Sequence, residues 1–304
     1  MKLYINSDRN QIYTDVTNLV LPSFTEYGMK YSNINMLQLP NDIEDSNEYS
    51  ENLVLVPMTH INNIWHLMHH IFITYKYLQK QKVSCDMMFP IFFEGFYDRQ
   101  GLITECIYND LIFNGLGFDY NIFKHNYDVF KSQKFIHVNN VKHVNENLNF
   151  YNEPLFDDFK ISILNNFNIK YRQTNIKKIT FILRNGTREI TNIDYVKNMF
   201  QSQDINYVYL EHHSVNEQLD IIANTDILIG VHGAGLTWCI FMKNNSTLIE
   251  LYPGNSNTDN YIRWCRIANI TYKRLCINIT SGNVQNFRSA TVNLNDQQIQ
   301  EIQS

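Results

Sequence analysis

Apolar runs alternate with segments of helical period along most of the chain. Leu53 to Met58 (LVLVPM) reads as a buried strand. Asn63 to Gln79 then sets apolar residues at Ile64, Leu67, Met68, Ile71, Tyr75 and Leu78, the spacing of one helix face. Met87 to Phe93 reads as a second strand, Ile103 to Leu116 as a helix, and Val129 to Val138 as a further strand. Upstream of these, residues 1–52 show no clear period, and Asn41 to Asn52, rich in Asp, Glu, Asn and Ser, reads as a loop.

The second half is sharper. A helical pattern over Pro154 to Asn168 leads to strands at Lys178 to Arg184, Tyr207 to Leu210, Asp226 to Val231, Thr247 to Tyr252 and Ile270 to Leu275. Helical patterns fall between them at Ile193 to Gln201, Val215 to Ala223, Leu236 to Met242 and Asp259 to Ala268. Strands alternating with helices indicate βαβ units and a parallel sheet. Two such blocks predict an α/β protein of two Rossmann-like domains facing across a cleft. The expected division is 1–165 and 166–304, with the last helix free to pack back on the N-terminal domain.

Composition narrows the function. Of 304 residues, 44% are hydrophobic, enough for real cores, so wholesale disorder is excluded. The 25 Lys+Arg against 30 Asp+Glu leave a net charge of -5 and no basic stripe, which argues against nucleic-acid partners. No apolar run is long enough to span a membrane. The start, MKLYINSDRN, has a lone Lys2 and no apolar core, so no secretory leader is expected. The five cysteines (Cys85, Cys106, Cys239, Cys265, Cys276) lack a C-x-x-C pair and read as free thiols in a reducing compartment. A glycan on the sequon Asn185-Gly-Thr187 would obstruct the segment described next. Both points set the expectation of a cytoplasmic protein.

The chemistry concentrates at Asp226 to Pro253 (DILIGVHGAGLTWCIFMKNNSTLIELYP). A buried strand ends at Val231, and His232-Gly233-Ala234-Gly235 turns directly into a helix beginning near Leu236. Glycines let backbone N–H groups approach a ligand, and a helix start aims unpaired N–H groups and a positive dipole end at it. That suits a phosphate or diphosphate at the carboxyl end of a parallel strand; a purely structural turn is the alternative. Glu250, near the end of the next strand, is placed either to accept from ribose hydroxyls or to cap a solvated loop. Arg184 and Arg188 lie in one loop layer and could clamp a diphosphate, unless one is a surface charge. Trp238, Phe241 and Met242 read as core, whereas Tyr252 is a better pocket residue. His212 and His213 read as pocket lining or surface. Neither G-x-S-x-G nor G-x-x-x-x-G-K-[ST] is present, against a nucleophile-elbow hydrolase or a P-loop.

FILRNGTREITN, then EHHSVNEQLDIIANTDILIGVHGAGLT, LIELYPGN and the closing ITYKRL resemble glycosyltransferase family 61 in order and spacing, over about residues 178–276. That family includes plant xylosyl- and arabinosyltransferases, protein O-linked N-acetylglucosaminyltransferases and bacterial capsular polysaccharide enzymes. The resemblance implies a GT-B fold and an inverting transfer from a nucleotide sugar, usually a UDP-sugar such as UDP-GlcNAc or UDP-xylose. The acceptor would be a hydroxyl of a glycan or glycoprotein, with no cofactor and no essential metal. It implies a nucleotide-sugar site of Arg184, Arg188, His232, Gly233, Ala234, Gly235, Leu236, Thr237, Glu250 and Tyr252.

In the N-terminal half the resemblance narrows to Asn63-Ile64-Trp65-His66, similar to an Asn-x-x-His stretch opening a helix on the acceptor side. Family members often carry an acid a few positions later, where this chain has His69 and His70, which leaves the base open. His66 is the candidate general base, since imidazole titrates near neutrality; a histidine packed under Trp65 is the other reading. Glu94 and Asp98 are weaker candidates. His66, His69 and His70 share a helix face, yet without H-E-x-x-H or a nearby Cys they do not predict a zinc site. Two other functions stay open: a catalytically silent nucleotide-sugar-binding or scaffold protein of the same fold, and a hydrolase using His232 and the turn amides as an oxyanion hole.

Overall fold

Two six-stranded sheets carry the chain, one in each of two units, Met1–Leu148 and Asn149–Ser304, in the computed structural model. The structure describes residues 1–304 apart from 7–10, 17–24, 27–28, 31–35, 59, 83–86, 93–105, 145–152, 174, 202, 255–258, 284–285 and 304.

The first unit runs β1 (Lys2–Asn6), β2 (Gln11–Thr14), a small ribbon of β3 (Thr25–Glu26) and β4 (Met29–Lys30), then β5 (Met36–Gln38) and β6 (Glu44–Met58). It continues with α1 (Ile64–Gln81), β7 (Met87–Phe92), α2 (Asn109–Ile112), α3 (Tyr120–Lys131) and β8 (Lys134–His143). The sheet order is β5-β2-β1-β8-β6-β7. Strands β8, β6 and β7 are mutually parallel, while β1 runs antiparallel to β2 and β8, so this sheet is mixed.

Three sequence expectations change here. The polar stretch Asn41 to Asn52 is largely strand: β6 starts at Glu44 and pairs along β8 through a register shift between Asp45 and Tyr49. Apart from the buried Ser50 its polar residues are exposed or half-exposed, Tyr49 being 61% exposed, so no apolar alternation announces the strand. Val129 to Val138 is not one strand. Phe123, Tyr127 and Phe130 bury one face of α3 as far as Lys131, a turn follows at Ser132 and Gln133, and β8 begins at Lys134. The expected helix Ile103 to Leu116 reduces to α2 and a 3₁₀ turn at Asn114–Leu116, its first residues lying outside the described ones.

The second unit opens with α4 (Phe156–Asn166), whose Phe159 ring lies 6.3 Å from that of Phe241 and whose Lys160 Nζ donates to Asn244 Oδ1 at 2.8 Å. These contacts place α4 with the second unit, ahead of the expected boundary at 165. Then follow β9 (Ile179–Ile182), α5 (Ile193–Met199), β10 (Ile205–Val208), α6 (Val215–Ala223) and β11 (Ile227–Val231). After a 3₁₀ helix (Ala234–Phe241) come β12 (Thr247–Pro253), α7 (Asn260–Ile267), β13 (Thr271–Asn283), β14 (Asn286–Asn293) and α8 (Asp296–Gln303). Helix α6 spans the expected residues because Ser214 and Glu217 form a capping box at its start.

The strand order is β10-β9-β11-β12-β13-β14, with the first five parallel and β14 antiparallel at the edge. In chain order the parallel strands read 2-1-3-4-5. The winding therefore reverses between β9 and β11, and open α/β sheets bind ligands just beyond the carboxyl ends of such a strand pair. Ile299 and Ile302 of α8 join the core with Val196, Phe200, Ile249 and Leu275, so the last helix packs into this unit.

Candidate active site

The turn after β11 lies at that reversal. Gly230 is small because a side chain there would press on Leu236 and Ile182. The expected α-helix is instead a 3₁₀ helix of eight residues, starting at Ala234 and apolar almost throughout. Leu236 N–H already bonds Gly233 O at 2.9 Å. The N–H groups of Gly233, Ala234 and Gly235 make no hydrogen bond to any described residue. Three adjacent backbone donors thus converge on one turn, with Ala234 and Gly235 half-buried at its lip.

Two arginines meet these donors. Arg184, just past β9, lays its guanidinium against the Cα of Gly233 so closely that a Cβ there would overlap Nη1. Its Nε donates to Thr187 O at 3.1 Å, and it forms no ion pair with any described carboxylate. Burial holds its pKa below the ordinary arginine value, and the charge of Glu211 only partly offsets this. A half-buried guanidinium that is only partly compensated is costly unless an anion arrives. Arg188, held at φ 56°, turns back and donates from Nη1 to His232 O at 2.8 Å. Tyr261 of α7 donates to Gly233 O at 2.5 Å. The carbonyls that precede the first two orphan amides, His232 O and Gly233 O, are therefore capped from outside, which braces the turn.

Glu250 and Tyr252 take roles other than the expected ones. Each is fully buried, and neither meets solvent. Glu250 Oε1 accepts from His232 Nδ1 at 2.5 Å, Oε2 accepts from the Tyr272 hydroxyl, and Arg274 Nε lies 3.4 Å from Oε2. With both oxygens engaged inside the protein, the carboxylate supports His232 rather than reaching ribose hydroxyls. Tyr252 packs edge-on to His232 (centroids 4.9 Å) and beneath the Arg274 guanidinium (4.8 Å), so it is a packing residue. Leu236 is core, and Thr237 is fully buried with its hydroxyl unpartnered among the described residues. Glu211 and His212 are exposed on a short 3₁₀ turn, His212 stacked on Tyr209 at 5.3 Å.

The structure thus gathers Arg184, Arg188, His232, Gly233, Ala234 and Gly235 at one point. His66 belongs to the other unit. It sits in the first turn of α1, which Asn63 caps by accepting from Trp65 N–H at 3.1 Å. Its half-exposed ring stacks on His60 (4.4 Å) and meets Trp65 edge-on (4.8 Å). His69 bonds the Trp65 carbonyl through Nδ1 and His70 is fully buried; among the described residues no three metal-ligating side chains converge. Glu94 and Asp98 lie outside the described residues. Sequence reasoning missed Tyr261, Tyr272 and Arg274. Tyr272 and Arg274 alternate on one face of β13, with Arg274 opposite Glu250, a signal readable only once the strand register is known.

Comparison with known proteins supplies the family. The profile of Glycosyltransferase 61 matches residues 64–249. The EGF domain-specific O-linked N-acetylglucosamine transferase of Drosophila melanogaster is 36% identical over 117 residues, 34% of this chain and 22% of that protein. The alpha-1,3-arabinosyltransferase XAT2 of Oryza sativa subsp. japonica is 35% identical over 81 residues, 25% of this chain and 14% of that protein. The chain therefore matches less than a quarter of the length of either relative. The bacterial iron-containing dodecameric glycosyltransferase TibC aligns over 84% of this chain and 74% of its own at a TM-score of 0.31 and 9% identity, too loose a likeness to inform the fold. Because the family profile covers more than half of the sequence, the chain belongs to glycosyltransferase family 61.

Proposed function

We propose that this protein is an inverting glycosyltransferase. It moves a sugar from a UDP-linked donor to a hydroxyl of a glycan or glycoprotein, without a metal ion. One observation carries the reading: the Arg184 guanidinium, with no ion-pair partner among the described residues, lies against a turn whose three successive N–H groups make no hydrogen bond to any of them, at the reversal of a parallel sheet. Family membership supports it, and the relatives named for N-acetylglucosamine and arabinose transfer make both sugars reasonable donors to try. The GT-B class is part of the reading, since each unit carries its own six-stranded sheet. A cytoplasmic setting is part of it too, because Asn185, exposed beside Arg184, would carry any glycan over the site.

In this mechanism the diphosphate gains negative charge as the glycosidic bond breaks. Arg184 and the amides of Gly233, Ala234 and Gly235 stabilise that charge where a metal-dependent enzyme would place a cation, and Arg188 holds the turn open to it. The acceptor hydroxyl loses its proton to His66 as it attacks the sugar carbon.

The test is a thermal melt with UDP in the presence of a chelator, followed by mass spectrometry of UDP released from a panel of UDP- and GDP-sugars. UDP at a hundredfold excess over Kd should stabilise the fold by about 2.7 kcal/mol. No stabilisation by UDP would remove the nucleotide from this site. Binding without sugar consumption on any acceptor would leave a silent binding protein. In the same assay His66→Ala should lower kcat by about 10²–10⁴ while UDP affinity holds. An equal fall in both, or no fall, would take His66 out of the base role.

A further inference from the structure

We propose that Glu211 is a specificity-determining residue of the anion site, accepting hydrogen bonds from the vicinal hydroxyls of the nucleotide's ribose. That role rests on the diphosphate reading above and deepens it, since it selects a ribonucleotide over its 2′-deoxy counterpart.

Strand register brings Glu211 to the turn. Val208, Ile182 and Gly230 lie level across β10, β9 and β11. Leu183 N–H bonds Val208 O at 2.8 Å, which keeps β9 and β10 together as both chains leave the sheet. Just beyond that line come Arg184 after β9, Gly233 after β11 and Glu211 after β10. Glu211 sits in the 3₁₀ turn Leu210–His212. Leu210 of this turn is buried, and its Cδ1 is the atom that a Cβ on Gly235 would meet, at 3.8 Å. Tyr209, at the start of the turn, lines a small crevice with Arg184, Arg188 and Val231. The segment carrying Glu211 is thus packed against both parts of the anion site, the arginines and the orphan amides.

Its carboxylate is left for a ligand. Glu211 is exposed and makes no hydrogen bond or ion pair to any described residue. Its charge partly offsets the effect of burial on the Arg184 guanidinium, yet the two do not close into an ion pair. Two other acids near the turn are already engaged. Glu250 is fully buried with both oxygens bonded, and Glu189 Oε2 accepts from Gly186 N–H at 3.2 Å. A carboxylate beside a diphosphate repels it, so by charge alone Glu211 works against binding. Hydroxyl donors reverse that balance, because an ionised carboxylate has two acceptor oxygens side by side, matched to a vicinal diol. Strand β10 lies two strands from β11, roughly 10 Å away at ordinary sheet spacing. From a diphosphate on the turn, a ribose and the length of a glutamate side chain together bridge that gap. Dinucleotide-binding sheets also place an acid near the phosphate turn to take the ribose 2′-hydroxyl.

The test is calorimetric titration of wild type and Glu211→Ala with UDP, 2′-deoxy-UDP and inorganic diphosphate. The wild type should bind UDP about tenfold or more tighter than 2′-deoxy-UDP, the share of one charge-assisted hydrogen bond. In Glu211→Ala that preference should vanish, while inorganic diphosphate, freed of a like charge, binds about two- to fivefold tighter. A glutamate that merely props the turn would show the reverse for diphosphate: Glu211→Ala would weaken all three ligands alike, which overturns the role. A carboxylate serving the transferred sugar instead would leave the preference for UDP over 2′-deoxy-UDP unchanged in Glu211→Ala, which overturns it too. Equal wild-type affinity for UDP and 2′-deoxy-UDP would overturn the inference and leave the diphosphate site standing. Failure of the folded wild type to bind either UDP or inorganic diphosphate would sink the site and the inference together.

Discussion

Arg184→Ala yields a folded protein that binds UDP about 10- to 150-fold more weakly, the loss expected for one charge-assisted hydrogen bond of about 1.5–3 kcal/mol. Turnover of a UDP-sugar falls further, by about 10²–10³, because the guanidinium matters most when the leaving diphosphate carries its full charge. Stability does not suffer. In the absence of ligand Arg184 is a half-buried cation without an ion-paired carboxylate among the described residues, and burial is the main force on its ionisation. Removing it relieves a desolvation cost, so the melting temperature holds or rises slightly while function is lost. A residue holding the fold together would show the opposite sign in the melt. Arg184→Lys restores charge without the two-pronged fork and should recover only part of the affinity. Unchanged UDP affinity in Arg184→Ala, measured by calorimetry, would move the anion site elsewhere.

How much of this site could be read in advance depended on the range of each interaction. The strand ending at Val231, the glycines after it and the arginine at the end of β9 are local signals, and the structure places them where an apolar run followed by a tight turn puts them. Helix α6 was legible for the same reason, since Ser214 and Glu217 cap it from within three residues. The segment Ala234–Phe241 is apolar on every side, so its composition shows burial but no period, and the tighter 3₁₀ winding left no mark. Strand β6 escaped because its polar half gains its pairing from β8, some ninety residues away. Glu250 shows the limit most clearly. Its place at a strand end suggested a ligand, but its partners are His232, 18 residues before it, and Tyr272, 22 residues after it. Only the parallel register of three strands brings these groups together.

Gly233 separates two explanations of why the turn needs glycine. Its φ of 168° is extended backbone that any residue adopts, so conformational freedom is not the reason. Space is the reason: a Cβ would overlap Arg184 Nη1 and crowd Cζ at 3.2 Å, with Arg188 Nη1 only 3.5 Å away. Gly233→Ala, a single methyl, should therefore expel the guanidinium from the turn, break its bond to Thr187 O, and reproduce the UDP defect of Arg184→Ala, about 10- to 150-fold. Gly233→Val should do the same and also close off the amides. The decisive measurement is the double mutant. If the methyl acts by displacing the arginine, Arg184→Ala with Gly233→Ala binds UDP no more weakly than either single variant, a strongly non-additive cycle. Additive losses would mean that Gly233 touches the ligand independently of Arg184. Gly235→Ala supplies the steric contrast, because among the described residues a Cβ there meets only Leu210, at an ordinary 3.8 Å. It should leave the unliganded protein as stable as the wild type. Any loss of UDP affinity in that variant then reports the ligand's own approach to the backbone, separating the amides' contribution from that of the arginine beside them.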